Sequence, residues 1–446
     1  MEIQSVLVIG GGIAGIQASI DLANMGFEVY LVEETPSIGG RMAQLDKTFP
    51  TNDCAMCILA PKMIECAGHE RVHLLTYSDV VEMDGKAGDF RVTVRRKPRY
   101  VDVEKCTGCG DCAEKCPRRV PDEFNVGLAK RKAAYLPFPQ AVPRKMTIDA
   151  ESCLYLTKGR CRVCEETCQA GAIDFEQQEE LVELEVGAIV LATGFDPFDP
   201  GSLKEYGYGG IDNVITGLEY ERLICASGPT GGHLKRPSDG QVPRVIAFIQ
   251  CVGSRDVNYQ PYCSSVCCMH ATKEAILANE HYPDLKSFIF YTDMRAVGKQ
   301  FQEYIIRARE EYGVGYIRSR PGKITVNEET GNPVVWYDET IYSDAGDPER
   351  RVASMEVDLV VLCQALVPHA IHKEMANKLG LELDGSGFVS IGDRLFRPVD
   401  TSVPGIFACG FCQGPQDIPD SVIQASAAAA RVAEILAKKS KELEHA

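Results

Sequence analysis

Residues 6–18 read VLVIGGGIAGIQA, and the reading of this stretch decides the fold. An aliphatic run ends in Gly10, Gly12 and Gly15, set in GxGxxG register, and passes directly into a helical pattern that extends to Met25. Glycine at those places lets the backbone turn tightly and approach a pyrophosphate, whose charge then sits at a helix N-terminus. A second short strand, EVYLVE (28–33), completes a βαβ opening. Glu33 ends it 18 residues beyond Gly15, where a carboxylate can hold ribose hydroxyls.

Three further segments favour FAD over NAD, because they resemble the signatures of two-dinucleotide-binding flavoproteins. SIGGRM carries Gly39, Gly40 and Arg41; LATGF carries Thr193 and Gly194; PGIFACG ends in Gly410. The last departs from the usual pattern, since Phe411 stands where an Asp is expected.

Outward from this frame, DFRVTVRRKPRYVDV (89–103) alternates like an exposed antiparallel strand. A cysteine-dense block follows, and then ELVELEVGAIVLATGF (180–195) resumes the strand pattern as though nothing had intervened. A second βα pattern begins at RVIAFIQ (244–250), with a helix near 269–280, strand SFIFYT and a closing EVDLVVLCQAL (356–366). The predicted order is a first FAD-binding part over 1–103, an inserted ferredoxin over 104–178 and a second FAD-binding part over 179–240. A degenerate second Rossmann-like domain over 241–370 and an FAD-binding tail with an Ala-rich helix over 371–446 complete it. The fold class is α/β: two Rossmann-like dinucleotide-binding domains of thioredoxin or glutathione reductase type, with an inserted two-cluster bacterial-type ferredoxin.

Within the insertion, CTGCGDCAEKCP places Cys106, Cys109, Cys112 and Cys116 in C-x2-C-x2-C-x3-C-P spacing. Three such thiolates close on one cubane while the fourth reaches the neighbouring one. The second set, Cys153, Cys161, Cys164 and Cys168, differs by one loop that is five residues longer. One 4Fe–4S cluster is therefore assigned to Cys106, Cys109, Cys112 and Cys168, the other to Cys116, Cys153, Cys161 and Cys164. Zinc is the competing reading of paired C-x2-C, and Pro117 weighs against it.

After RVIAFIQ an ordinary reductase presents another glycine-rich loop for NAD(P)H. This chain presents CVGSRD and then YCSSVCC, so nicotinamide binding is doubtful and Cys251, Cys263, Cys267 and Cys268 become candidates for a third cluster. Buried thiols or a transient disulfide are the alternatives. TNDCAMC sets Cys54 and Cys57 shortly after the GGR turn, where a low-pKa dithiol could serve a disulfide.

Composition bounds the rest. The 446 residues, 45% hydrophobic and 25% charged, suit two to four ordinary folding units. A net charge of −16 argues against nucleic-acid or anionic-membrane partners, which need clustered Lys and Arg. The start shows no charged n-region or cleavage site, and no run approaches ~20 apolar residues, so a cytoplasmic protein without membrane insertion is expected. In a reducing compartment, 19 cysteines point to metal or redox chemistry rather than a disulfide framework.

The FAD signatures, the inserted ferredoxin and the pair CVGSRD…YCSSVCC together resemble the A subunit of heterodisulfide reductase (HdrA) and its relatives, among them the A subunit of the quinone-interacting membrane-bound oxidoreductase. The likeness covers essentially residues 1–440. It implies an FAD- and iron–sulfur-containing electron-transfer subunit of a multi-subunit complex, a dimer among its forms, and it leaves flavin-based bifurcation open. It also implies a 4Fe–4S cluster near the flavin on Cys251, Cys263, Cys267 and Cys268, with Lys273, five residues past the last cysteine, near the flavin N5. A glutamate of LEYER is implied there too, Glu221 in preference to Glu219. The extra N-terminal iron–sulfur domain and C-terminal ferredoxin modules of long members are missing from the sequence. Electrons are thus expected to pass through separate subunits of the B and C type, or of hydrogenase or dehydrogenase type. An NAD(P)H-dependent thiol–disulfide oxidoreductase using Cys54 and Cys57 is the alternative.

Overall fold

The computed structural model describes residues 5–342 and 348–444, the side chains of 342, 348 and 438–444 excepted. The chain divides into two compact units, one of residues 1–43, 56–195 and 368–446, the other of 44–55 and 196–367.

The first unit is built on a seven-stranded sheet. Its parallel centre runs Ile406–Ala408, Ala188–Leu191, Ser5–Ile9, Glu28–Glu33, Val72–Thr76 in spatial order, and two antiparallel strands extend the Ile406 edge. The continuous apolar runs VLVI and AIVL follow from burial of the sheet on both faces. The helix Ile13–Asn24 packs on the long C-terminal helix Ile418–Glu444.

A three-stranded antiparallel sheet orders Ser78–Lys86, Asp89–Arg96 and Glu180–Val186. Asp89–Arg96, expected as an exposed strand, is its middle member. Phe90, Val92 and Val94 turn into the core while the intervening residues face outward. Arg96 lies opposite Glu180 in the ladder, so the insertion leaves and re-enters the sheet at a single rung.

The insertion holds three five-residue helices, Asp111–Lys115, Leu154–Lys158 and Val163–Thr167, and two small hairpins. Its core is Val101, Met146, Ile148 and Phe175 among Cys106, Cys112, Cys153 and Cys164. It is fastened to the turn before Gly39: Ile38 N donates to Val142 O at 2.9 Å, and buried Arg99 donates to Pro36 O at 2.9 Å.

The second unit carries a five-stranded parallel sheet in the order Val214–Thr216, Leu359–Gln364, Val245–Val252, Lys286–Tyr291, Gly315–Arg318. The helix Cys267–His281 connects the third and fourth of these. A three-stranded antiparallel sheet formed by Lys323–Val326, Pro333–Tyr342 and Pro348–Glu356 belongs to the same unit.

Candidate functional site: a glycine cradle and three groups of cysteines

In the first unit, the glycine turn has the shape a dinucleotide requires. A Cβ on Gly15 would lie 1.8 Å from Gly10 O, and one on Gly10, whose φ is +105°, would lie 2.4 Å from Ala192 O. A Cβ on Gly12, by contrast, would meet nothing within 4 Å, so open space lies over the N-terminus of the helix Ile13–Asn24. That is where a pyrophosphate fits. Buried Glu33 fixes the turn from the next strand: its carboxylate accepts from Gly11 N at 2.7 Å and from Thr35 N and Oγ1 at 2.9 and 2.7 Å. Burial raises its pKa despite those donors.

Gly39 N donates to Gly11 O at 2.7 Å, which sets the GGR turn with half-buried Arg41 beside the cradle. Thr193 Oγ1 lies 2.8 Å from His372 Nε2. Gly194 has φ +71° with open space beside it. Gly410 N donates to Gln424 Oε1 at 3.0 Å. Phe411, at the anomalous position, packs at a tilt against Phe195 at 4.3 Å between ring centroids and is near Phe388 at 6.2 Å, so an apolar trio stands where an Asp was expected.

The insertion's cysteines fall into neighbourhoods. Burial pushes the Cys112 thiol up to about 12, and the sulfurs of Cys164, Cys106 and Cys109 push in the same direction. Burial likewise raises Cys164 to about 11, with Cys153 and Cys116 among its neighbours. Cys116, Cys153, Cys161 and Cys164 line one small cavity. Four thiols around such a space suit a cationic centre that displaces their protons. Cys168 Sγ accepts from Ala172 N at 3.4 Å.

In the second unit, Cys251, next to last in the strand Val245–Val252, has a left-handed conformation, φ +60°, while Cys267 and Cys268 open the helix Cys267–His281. Burial raises the Cys267 thiol, and Cys268, Cys251 and Cys263 raise it further, so the four sulfurs share one locality. A tight loop holds them: Ser254 Oγ meets Ser264 Oγ at 2.6 Å, and Gln250 Nε2 donates to Cys267 O at 3.2 Å. In a Rossmann unit, this strand end and helix N-terminus hold nucleotide phosphate. The same dipole favours an anionic thiolate cluster.

On that helix, Lys273 is ion-paired with Glu221, and both are fully buried. Lys273 also donates to Lys47 O at 3.1 Å; Glu221 accepts from Asp46 N at 2.9 Å and lies 2.6 Å from His270 Nε2. Burial alone would raise the Glu221 carboxyl, but the Lys273 ammonium and His270 hold it down at about 2. Glu219 instead closes a capping box on Thr216 N at 2.6 Å. Glu219→Ala is expected to cost about 1 kcal/mol, read as a lower Tm. The sequence reading missed Glu274, whose buried carboxyl oxygens have no hydrogen-bond partner and whose pKa burial and Glu221 drive well up. Its i,i+4 spacing from His270 was the available signal.

Cys54 and Cys57 are the two cysteines in disulfide linkage among the 19. Buried Cys66, Cys363, Cys409 and Cys412 are free thiols, as is half-buried Cys225. No described helix is long and apolar enough to cross a membrane.

These features define an iron–sulfur flavoprotein of the oxidoreductase class. Residues 5–55 match the FAD dependent oxidoreductase family, and residues 99–122 match the 4Fe-4S binding domain. A thioredoxin reductase structure from Lactococcus lactis shares the mixed α/β fold at TM-score 0.52 and 15% identity, covering 98% of this chain and 99% of that one. An iron-sulfur A subunit of the CoB--CoM heterodisulfide reductase of Methanopyrus kandleri is 55% identical over 432 residues, 97% of this chain and 64% of that protein. A protein of Archaeoglobus profundus similar to the heterodisulfide reductase A subunit is 45% identical, over 99% of this chain and 67% of that one. The chain belongs to the HdrA family, the A subunits of heterodisulfide reductase. It spans 64–65% of the length of the first curated relatives it matches.

Proposed function

We propose that the chain is the FAD- and 4Fe–4S-containing electron-transfer subunit of a heterodisulfide reductase-like complex. It would exchange electrons with partner subunits of the B and C type, or with hydrogenase- or dehydrogenase-type subunits. When bound, FAD exchanges electrons in pairs or singly, and each cluster carries one at a time. Gly10, Gly12, Gly15, Gly39, Gly40 and Arg41, with Glu33, Thr193, Gly194 and Gly410, are assigned to FAD. Cys106, Cys109, Cys112 and Cys168 form one cluster set, Cys116, Cys153, Cys161 and Cys164 a second, and Cys251, Cys263, Cys267 and Cys268 a third.

The observation that carries this reading is the third set. Four thiols occupy the strand end and helix start where a nicotinamide reductase cradles phosphate, so the second unit is equipped for iron rather than NAD(P)H. That also weighs against an NAD(P)H-dependent thiol–disulfide oxidoreductase acting through Cys54 and Cys57.

Anoxically purified protein is expected to contain about 12 iron atoms and one FAD per chain, from three cubanes. Cys267→Ser should remove about four of those irons and keep the flavin. Zinc in place of iron, or colourless protein, would overturn the assignment. Lys273 and Glu221 are assigned to tuning the flavin on the family resemblance. Lys273→Ala should lower the flavin midpoint potential, and an unmoved potential removes Lys273 from that role.

A further inference from the structure

Two lysines of the insertion stand apart in how they use their charge. Lys145 Nζ donates to the backbone carbonyl of Cys106 at 2.8 Å, and Lys132 Nζ donates to the backbone carbonyl of Cys116. Cys106 and Cys116 belong to different cluster sets in the assignment above, so each set receives one ammonium. Four other cations of the insertion are paired with acids instead: Lys105 with Asp102, Lys115 with Glu114, Arg162 with Glu165, and Arg131 with Glu123 and Asp149. Among the described residues, neither Lys132 nor Lys145 has a carboxylate partner.

Both lysines are half-buried and are held by backbone structure. Lys132 lies in the strand Lys130–Lys132, directly opposite Arg119 in the hairpin that follows Cys116. Lys145 sits in the loop pressed against the Cys106–Cys109 turn. A Cβ on Gly108, whose φ is +70°, would lie 2.4 Å from Arg144 O, so only glycine lets the two loops meet. An ammonium fixed on the carbonyl of a ligating cysteine and not offset by an acid stabilises added negative charge on that cluster.

We propose that Lys132 and Lys145 are positioning residues that set the reduction potentials of the two insertion clusters, one lysine to each: Lys145 for the set containing Cys106, Lys132 for the set containing Cys116. The step is a one-electron reduction in which the cluster gains one electron from a partner subunit and no bond is made or broken. This inference rests on the cluster assignment above.

The test is a potentiometric titration followed by EPR on the full chain, prepared anoxically, with iron counted in every sample. Lys145→Gln and Lys132→Gln keep an amide donor for the carbonyl and remove only the charge. Each is expected to lower the potential of one cluster, a different one in each variant, making its reduction about tenfold less favourable, or about 59 mV. Lys145→Arg and Lys132→Arg should restore the parent potentials, and Lys130→Met, at an exposed site, should move neither cluster. Parent protein without iron would defeat the cluster assignment itself. Parent protein with both clusters, and Gln variants that titrate like it or like Lys130→Met, would leave that assignment standing and overturn this inference.

Discussion

Lys273→Met is expected to destabilise the protein by about 3–5 kcal/mol, the cost of leaving a buried carboxylate without its counter-charge. Glu221 is fully buried, and the remaining neighbours of its carboxylate are the Asp46 amide and His270. In the parent, burial and the Lys273 ammonium both lower the pKa of His270. Glu274 lies in the same pocket and would add repulsion if it ionised.

The pH dependence reports the same event with opposite signs. In the parent, Glu221 is held below its ordinary value of 4.5; its contribution is complete above that pH and is lost as the pH falls toward about 2. In the variant, burial without Lys273 raises the carboxyl above its unfolded value. Stability then declines as the pH rises from 4.5 toward neutrality. Urea midpoints at pH 5 and pH 7 measure this. Equal parent and variant midpoints at pH 7 would mean that the pair carries no net stability.

Gly15→Ala is expected to abolish FAD retention. The added methyl would sit 1.8 Å from Gly10 O, which is backbone and cannot rotate away. Either the helix Ile13–Asn24 lifts off the sheet or the glycine turn opens, and both displace the amides that face the pyrophosphate. Forced overpacking of this kind costs about 1–3 kcal/mol as well. Flavin content after gel filtration checks it: the variant should retain its insertion irons and lose its flavin absorbance. Gly12→Ala, which meets no atom of the protein, should fold normally and lose affinity only through its approach to the ligand.

What could be read from the sequence was what lies close along the chain. The Gly10–Gly15 turn, the Cys106–Cys116 run and the strand RVIAFIQ are each local, and spacing alone specifies their geometry. Lys273 and Glu221 were each named only through family likeness, and their pairing across 52 residues gave no signal, because no period links a strand-following helix to the helix after the next strand. Lys132 and Lys145 gave no signal, since their acceptors are backbone carbonyls that every residue carries. Phe411 was legible as a departure, but its packing with Phe195 required the third dimension. The strand 89–96 was read as exposed because its alternation shows that one face is polar; that it would be paired on both sides depended on Glu180–Val186, which lies beyond the insertion.

The rung shared by Arg96 and Glu180 fixes an order of manufacture. Translation completes all eight insertion cysteines by Cys168, before it makes Glu180–Val186 or the strand Ala188–Leu191 that flanks Ser5–Ile9 beside the glycine turn. Domains fold as units while the ribosome is still elongating. Iron delivery to the nascent guest thus has a head start over the flavin, whose cradle cannot close until the host resumes.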